Sequence, residues 1–233
     1  NSLEFQAIEL WISKFGKNKR VVDSYEISER ISNLIIFALY NQKSKNDLSL
    51  EILNYLEKNI KILCNQLEFN NDELTGNHLV NNSRALILYG CFVGSTNSIN
   101  LGFALLKHIL PKIIVNDYFL RESSSHYQLL FTSWLIEIFI IINLYKHTKY
   151  NFYLSNYLKN LINGCEFFFI NKRIVLIGDI SPDKTPKWLE DIVKFYNNID
   201  NSDQNIIYTG WAKIISKIKN YKKIKISKLN NQK

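Results

Sequence analysis

Apolar residues recur at three- and four-residue steps through seven successive segments, and nothing else in the chain constrains its fold as strongly. The segments are Leu3–Phe15, Ile27–Tyr40, Leu48–Cys64, His78–Val93, Ile99–Ile113, Tyr127–Tyr145 and Phe152–Phe169. That period places the apolar side chains on one face of a helix, which predicts seven amphipathic or buried helices. Polar breaks at Asn41–Asp47, Asn70–Gly76, Gly94–Ser98, Val115–Ser123 and Lys146–Asn151 separate them. Long helices joined by such connections become antiparallel neighbours, so the chain reads as a series of αα-hairpins. First helices start at Ser28, Asn77 and Ser124, 49 and 47 residues apart, and second helices near Leu48, Asn97 and Asn151, 49 and 54 apart. Hairpins that cannot bury their faces alone stack into a solenoid or close into a ring, and periodicity does not choose between them.

The pattern changes after residue 170. Arg173–Ile177 is a short β-branched run ending at Gly178-Asp179, and Ser181-Pro182-Asp183-Lys184-Thr185-Pro186 has loop chemistry. Ile206–Ile218 and Tyr221–Leu229 read as two strands joined at Lys219-Asn220, because Lys223, Lys225 and Ser227 alternate with Ile224 and Ile226. The expected division is a helical domain over 1–172, an irregular linker over 173–203, and the start of a β-sandwich over 204–233.

The formal charge of +8 comes entirely from the tail. Residues 1–203 balance 21 Lys and Arg against 21 Asp and Glu, and residues 204–233 add eight lysines. With only five arginines in 233 residues and much Lys, Asn and Ile, an AT-rich coding sequence accounts for the excess, and no nucleic-acid partner is expected. Cys64, Cys91 and Cys165 are odd in number and lack zinc-ligand spacing, so free thiols buried on helices are expected and no metal. The most apolar stretch, Leu129 to Tyr145, is interrupted by Thr132, Ser133, Glu137 and Asn143, which predicts a buried helix and no membrane span. No export segment is visible, and the opening Asn1-Ser2-Leu3 without Met suggests a mature product or a fragment.

Two polar clusters open otherwise apolar helices. One is Gly76-Asn77-His78-Leu79-Val80-Asn81-Asn82-Ser83-Arg84; the other is Asp117 through Tyr127, with Arg121, Glu122, Ser123-Ser124-Ser125 and His126. Taken singly, each residue has an ordinary explanation. Asn77 would be a helix N-cap, His78 a surface histidine, and Tyr127 a core ring with a satisfied hydroxyl. Taken together, one complete hairpin separates Asn77 from Tyr127, so an up-down arrangement brings both helix N-termini to one rim. Unpaired N–H groups there would suit a carboxylate ligand.

Tyr25-Glu26-Ile27-Ser28-Glu29-Arg30-Ile31-Ser32-Asn33, then Asn77-His78 with Asn82 and Arg84, then Asp117, Glu122 and Tyr127 at five-residue steps, resemble the helical domain of heparinase II/III-like polysaccharide lyases. The resemblance spans roughly residues 10–212. Gly178-Asp179 and Thr209-Gly210-Trp211-Ala212 look like that family's exit from its toroid and entry into its β-sandwich. It implies an incomplete α/α toroid, a mainly α fold, and β-elimination of uronate-containing glycans with no cofactor. Asn77 becomes the group that neutralises the substrate carboxylate, His78 its neighbour, and Tyr127 the catalytic acid and base. Arg30, Asn33, Arg84, Glu122 and His126 fall on the substrate side, binding sugar or supporting the rim. The family's usual His after the tyrosine is Gln128 here, and Leu34 stands where the family often has Trp. Members commonly act outside the cytoplasm. The alternative is a non-catalytic helical scaffold binding a glycan or a protein on its concave face.

Overall fold

A computed structural model describes residues 3–16, 23–69, 76–116, 118–181, 184–200 and 206–221. The chain is mainly helical, and its contacts divide it at Leu106/Lys107 into two units, a different division from the 172/173 boundary expected above.

The first unit holds α1 (Leu3–Phe15), α2 (Ser24–Tyr40), α3 (Leu50–Asn65), α4 (Asn77–Val93) and the start of α5 (Thr96–Ile113). Asp23 caps α2 by accepting the Glu26 N–H at 2.8 Å, and Ser49 caps α3 by accepting that of Ile52 at 3.4 Å. Ile27, Ile31, Ile35 and Ala38 form the buried stripe of α2, and Ile52, Leu56, Ile60 and Leu63 that of α3. The isoleucines and leucines among these each contribute about 1.5–3 kcal/mol when fully buried. α2 packs most extensively on α4, and α3 on both. Every residue of α4 is buried except His78 and Val93, so α4 is the core of this unit rather than an amphipathic surface helix. A Cβ on Gly102 of α5 would lie 2.6 Å from Ile87 Cγ1 and 2.9 Å from the Ser83 carbonyl oxygen, so hydrogen alone fits where α5 crosses α4.

The second unit runs from the end of α5 through β1 (Ile114–Val115), β2 (Phe119–Leu120), α6 (Ser125–Leu144), α7 (Asn151–Glu166), β3 (Phe169–Ile170), β4 (Arg173–Ile174), α8 (Ile192–Asn197) and α9 (Gly210–Tyr221). β1 pairs with β2 and β3 with β4, each antiparallel. Asn171 and Lys172, both at positive φ, form the two-residue turn that β3–β4 requires. α6 is the core here: all of it is buried except Tyr127 and Asn143. α7, the 3₁₀ turn Pro186–Leu189, α8 and α9 pack around it.

The expected strand over Ile206–Ile218 is not there. Those residues enter α9, whose buried positions Trp211, Ala212, Ile215 and Ile218 fall at helical steps. Its β-branched isoleucines had suggested a strand, but the buried contacts of Trp211 favour the helix. Its ring stands edge-on to Phe195 at 5.6 Å, and its Nε1–H donates to Glu137 Oε1 at 2.7 Å. The second expected strand lies outside the described residues beyond Tyr221. The supposed linker also has structure, since β4, the 3₁₀ turn and α8 all fall within it.

α6 is long and apolar enough to cross a bilayer by composition alone. Its burial inside the unit, and the Trp211 bond that satisfies Glu137 within it, make it a core helix, and the described residues contain no other candidate span. Cys91 and Cys165 are buried thiols as expected, and burial pushes each up to about 12; Cys64 on α3 is exposed, contrary to expectation.

Candidate functional site

The polar opening of α4 is a hydrogen-bonded assembly. Gly76, not Asn77, is the N-cap, so Asn77 is the first helical residue and is buried. His78 beside it keeps 51% of its side-chain surface in solvent. Its Nδ1 lies 2.5 Å from Glu68 Oε2, and its ring lies against Tyr25, with centroids 4.7 Å apart. The other carboxylate oxygen of Glu68 accepts the Ser24 hydroxyl at 2.8 Å. The backbone N–H of Glu68 donates to Asn82 Oδ1 at 3.1 Å, and Asn82 Nδ2 donates to Ser28 Oγ at 3.0 Å. Asn82 and Ser28 are fully buried, so they hold Glu68 in place and do not reach a ligand.

Arg84 is also fully enclosed. It donates from one guanidinium nitrogen to Glu29 Oε1 at 2.7 Å and to Asn81 Oδ1 at 3.0 Å, which ties α4 to α2. Arg30 and Asn33 lie further along α2. Arg30 pairs with Glu26 at 3.3 Å and sits over the Trp11 ring at 5.8 Å; Asn33 donates to Glu29 Oε2 at 3.1 Å. Both line a cleft of about 250 Å³ among α1, α2 and α3, walled by Trp11, Leu34, Phe37 and Tyr55. Trp11 thus supplies an exposed indole in the same cleft as Leu34.

In the second unit the start of α6 is occupied by the chain itself. Ser124 is the N-cap and accepts the Tyr127 N–H at 3.1 Å. The segment after β4 lies across this end. Ser125 N–H donates to the Ile177 carbonyl at 3.0 Å, Ile177 N–H to Ser125 Oγ at 2.9 Å, and Ser124 Oγ to the Asp179 carbonyl at 2.6 Å. Gly178 (φ +76°) permits the approach, since a Cβ there would meet the Ser123 carbonyl oxygen at 2.6 Å. The unpaired N–H groups expected at this helix end are therefore largely taken by internal acceptors. Glu122 is exposed, and Asp117 lies outside the described residues.

His126 is wholly buried, so it does not face a substrate directly. Its Nδ1 accepts the Ser181 N–H at 3.1 Å, which places the hydrogen of the neutral ring on Nε2. Burial lowers its pKa, outweighing the Lys184 backbone that favours the charged form. A buried neutral histidine stabilises the fold above its ordinary pKa of 6.5 relative to more acidic solution. As pH falls below 6.5 the unfolded chain gains the proton first, and stability drops until the folded ring also titrates. Urea midpoints measured from pH 7.5 to 5 should therefore fall more steeply for the native chain than for His126→Gln. Equal slopes would exclude this role.

Gln128 fastens a loop to the same helix. Its Oε1 accepts the Leu120 N–H at 2.9 Å while Nε2 donates to the Tyr118 carbonyl at 2.8 Å. One amide thus clamps the β1–β2 hairpin onto α6 with a donor and an acceptor on adjacent atoms. Tyr127 alone in this first turn is partly open to solvent. Among the described residues no three His, Cys, Asp or Glu side chains gather at metal-binding distance.

Of the expected residues, the structure brings Asn77 and His78 together in the first unit, and His126 and Tyr127 in the second. Arg30 and Asn33 share the α1–α3 cleft. Glu68 was not anticipated. It lies ten residues before His78 in a polar break, and only the fold brings the two together.

No family model matches this chain, and no curated protein or solved structure does either.

Proposed function

We propose that this chain is a polysaccharide lyase whose helical hairpins follow the plan of an α/α toroid and whose substrate is a uronate-containing glycan. One observation supports it most. In the first turns of the two fully packed helices, His78 and Tyr127 alone escape burial, and both were singled out from the sequence. Neither side chain is enclosed by the core that surrounds the rest of its helix turn, which leaves both accessible to a ligand.

In β-elimination a base removes the C5 proton, the electron pair forms a C4=C5 double bond, and the C4–O bond breaks with proton transfer to the leaving oxygen. The substrate carboxylate opposes this while it carries full negative charge. A preorganised amide donor such as Asn77 stabilises the developing charge, worth about 3 kcal/mol for one donor of this kind. Tyr127 supplies the acid and base work. The test is incubation with heparan sulfate, alginate and other uronates while following the conjugated product by near-UV absorbance. Product is expected with at least one polymer, and none with any of them would remove the catalytic reading.

The α1–α3 cleft favours a second reading, a non-catalytic glycan-binding scaffold. It is an apolar cleft with an exposed indole on its wall, the kind of surface on which the apolar face of a sugar ring stacks. Glycan retention without product, lost in Trp11→Ala, would select it.

A further inference from the structure

We propose that Glu68 is the positioning residue of a carboxylate–imidazole dyad, holding His78 with Nδ1 as donor and Nε2 as the outward proton-accepting atom. An ionised carboxylate can only accept, so the 2.5 Å contact with Glu68 Oε2 places a hydrogen on His78 Nδ1. In the neutral ring Nε2 then carries a lone pair, on a side chain that is half in solvent. The carboxylate does more than select the tautomer. Its negative charge stabilises the imidazolium that forms when Nε2 takes a proton, so acceptance and orientation come from one group.

Glu68 is itself held from several sides. The Ser24 hydroxyl occupies its second oxygen, its backbone is bonded to buried Asn82, and the Tyr25 ring lies against the imidazole. The dyad is thus rigid on the protein side and open on the other, as a proton-transfer group must be.

This arrangement also divides labour with Asn77. A bare Nε2 lone pair repels a carboxylate, so a neutral His78 cannot be the group that neutralises one. Asn77 retains that task, and His78 moves a proton. That this proton transfer serves a uronate elimination rests on the lyase reading; the dyad's geometry does not.

Two measurements separate these layers. Long-range proton–nitrogen NMR of the intact ¹⁵N-labelled chain reads the His78 tautomer without any substrate. The Nδ1–H form is expected in the native chain and in Glu68→Gln, whose amide oxygen still accepts. Glu68→Ala should revert to the Nε2–H form that histidine prefers in water. An Nε2–H ring in the native chain, or an unchanged tautomer in a folded Glu68→Ala, would overturn the dyad. If Glu68→Ala fails to fold, the native tautomer and Glu68→Gln decide. On a uronate that turns over, Glu68→Gln should lower kcat about 10–100-fold with KM little changed, because the charge is lost while the orientation survives. Unchanged kcat on such a substrate would overturn the catalytic role of the dyad. A native Nδ1–H tautomer with no turnover on any uronate would instead uphold the dyad and remove the lyase reading.

Discussion

Replacing Arg84 with Met is expected to destabilise the first unit by about 3–5 kcal/mol, the usual cost of removing one partner from a buried ion pair. Arg84 is fully buried, and the Glu29 side chain opposite it is only 16% exposed. Without the guanidinium, Glu29 keeps a largely desolvated carboxylate that has lost its 2.7 Å charged donor, while the Asn33 amide still donates to it at 3.1 Å. The carbonyl of fully buried Asn81 loses its donor as well. Arg84→Lys should recover only part of the loss, because the ammonium keeps the charge but is more strongly hydrated and must reach Glu29 Oε1 and Asn81 Oδ1 from a differently shaped stem. The double variant Glu29→Leu/Arg84→Met is informative for the opposite reason. Exchanging a buried pair for apolar side chains of similar bulk is often neutral, so most of the loss should return. Helical circular dichroism in urea reads all three variants. A loss below about 1 kcal/mol for Arg84→Met would place the pair among those whose partners are adequately solvated.

That prediction concerns a residue whose burial was not apparent in the sequence, and α4 shows why. Its polar residues Asn77, Asn81, Asn82, Ser83 and Arg84 suggested a rim facing a ligand, since polar side chains ordinarily mark the solvent face. All five are buried, and the partners of two of them come from elsewhere: Ser28 and the Glu68 backbone for Asn82, and Glu29 for Arg84. Such bonds span 14 to 58 residues, and local pattern carries no trace of them. Helix existence was legible through Glu166, because apolar periodicity depends only on each segment's own sequence. α9 was misread for a related reason. Isoleucine favours strands in isolation, while the choice was made by Trp211 reaching Glu137, 74 residues away. His126 and Gln128 behave alike. His126 looked available for chemistry at a helix start, and Gln128 stood where the resemblance led one to expect a histidine; each is used to fasten a loop, the 177–181 segment by one and the β1–β2 hairpin by the other. Tyr127, between them, is the residue that the packing leaves partly open.

Tyr127→Phe should therefore separate structure from chemistry more cleanly than any other change in the second unit. The substitution deletes one oxygen and keeps the ring. The Ser124 cap is bonded to the Tyr127 backbone N–H, which phenylalanine retains. Stability should change by no more than about 1 kcal/mol, the usual size of one hydrogen bond's net contribution. Under the lyase reading kcat should instead fall about 10²–10⁴-fold, the range for losing a positioned acid or base. KM should be nearly unchanged, since the phenol acts in the transition state more than in substrate binding. Asn77→Ala should also lower kcat, by about 10²–10³-fold, through loss of carboxylate neutralisation. Turnover that survives Tyr127→Phe would exclude the phenol as the acid and base. A large stability loss from the same substitution would show that its hydroxyl serves the fold instead.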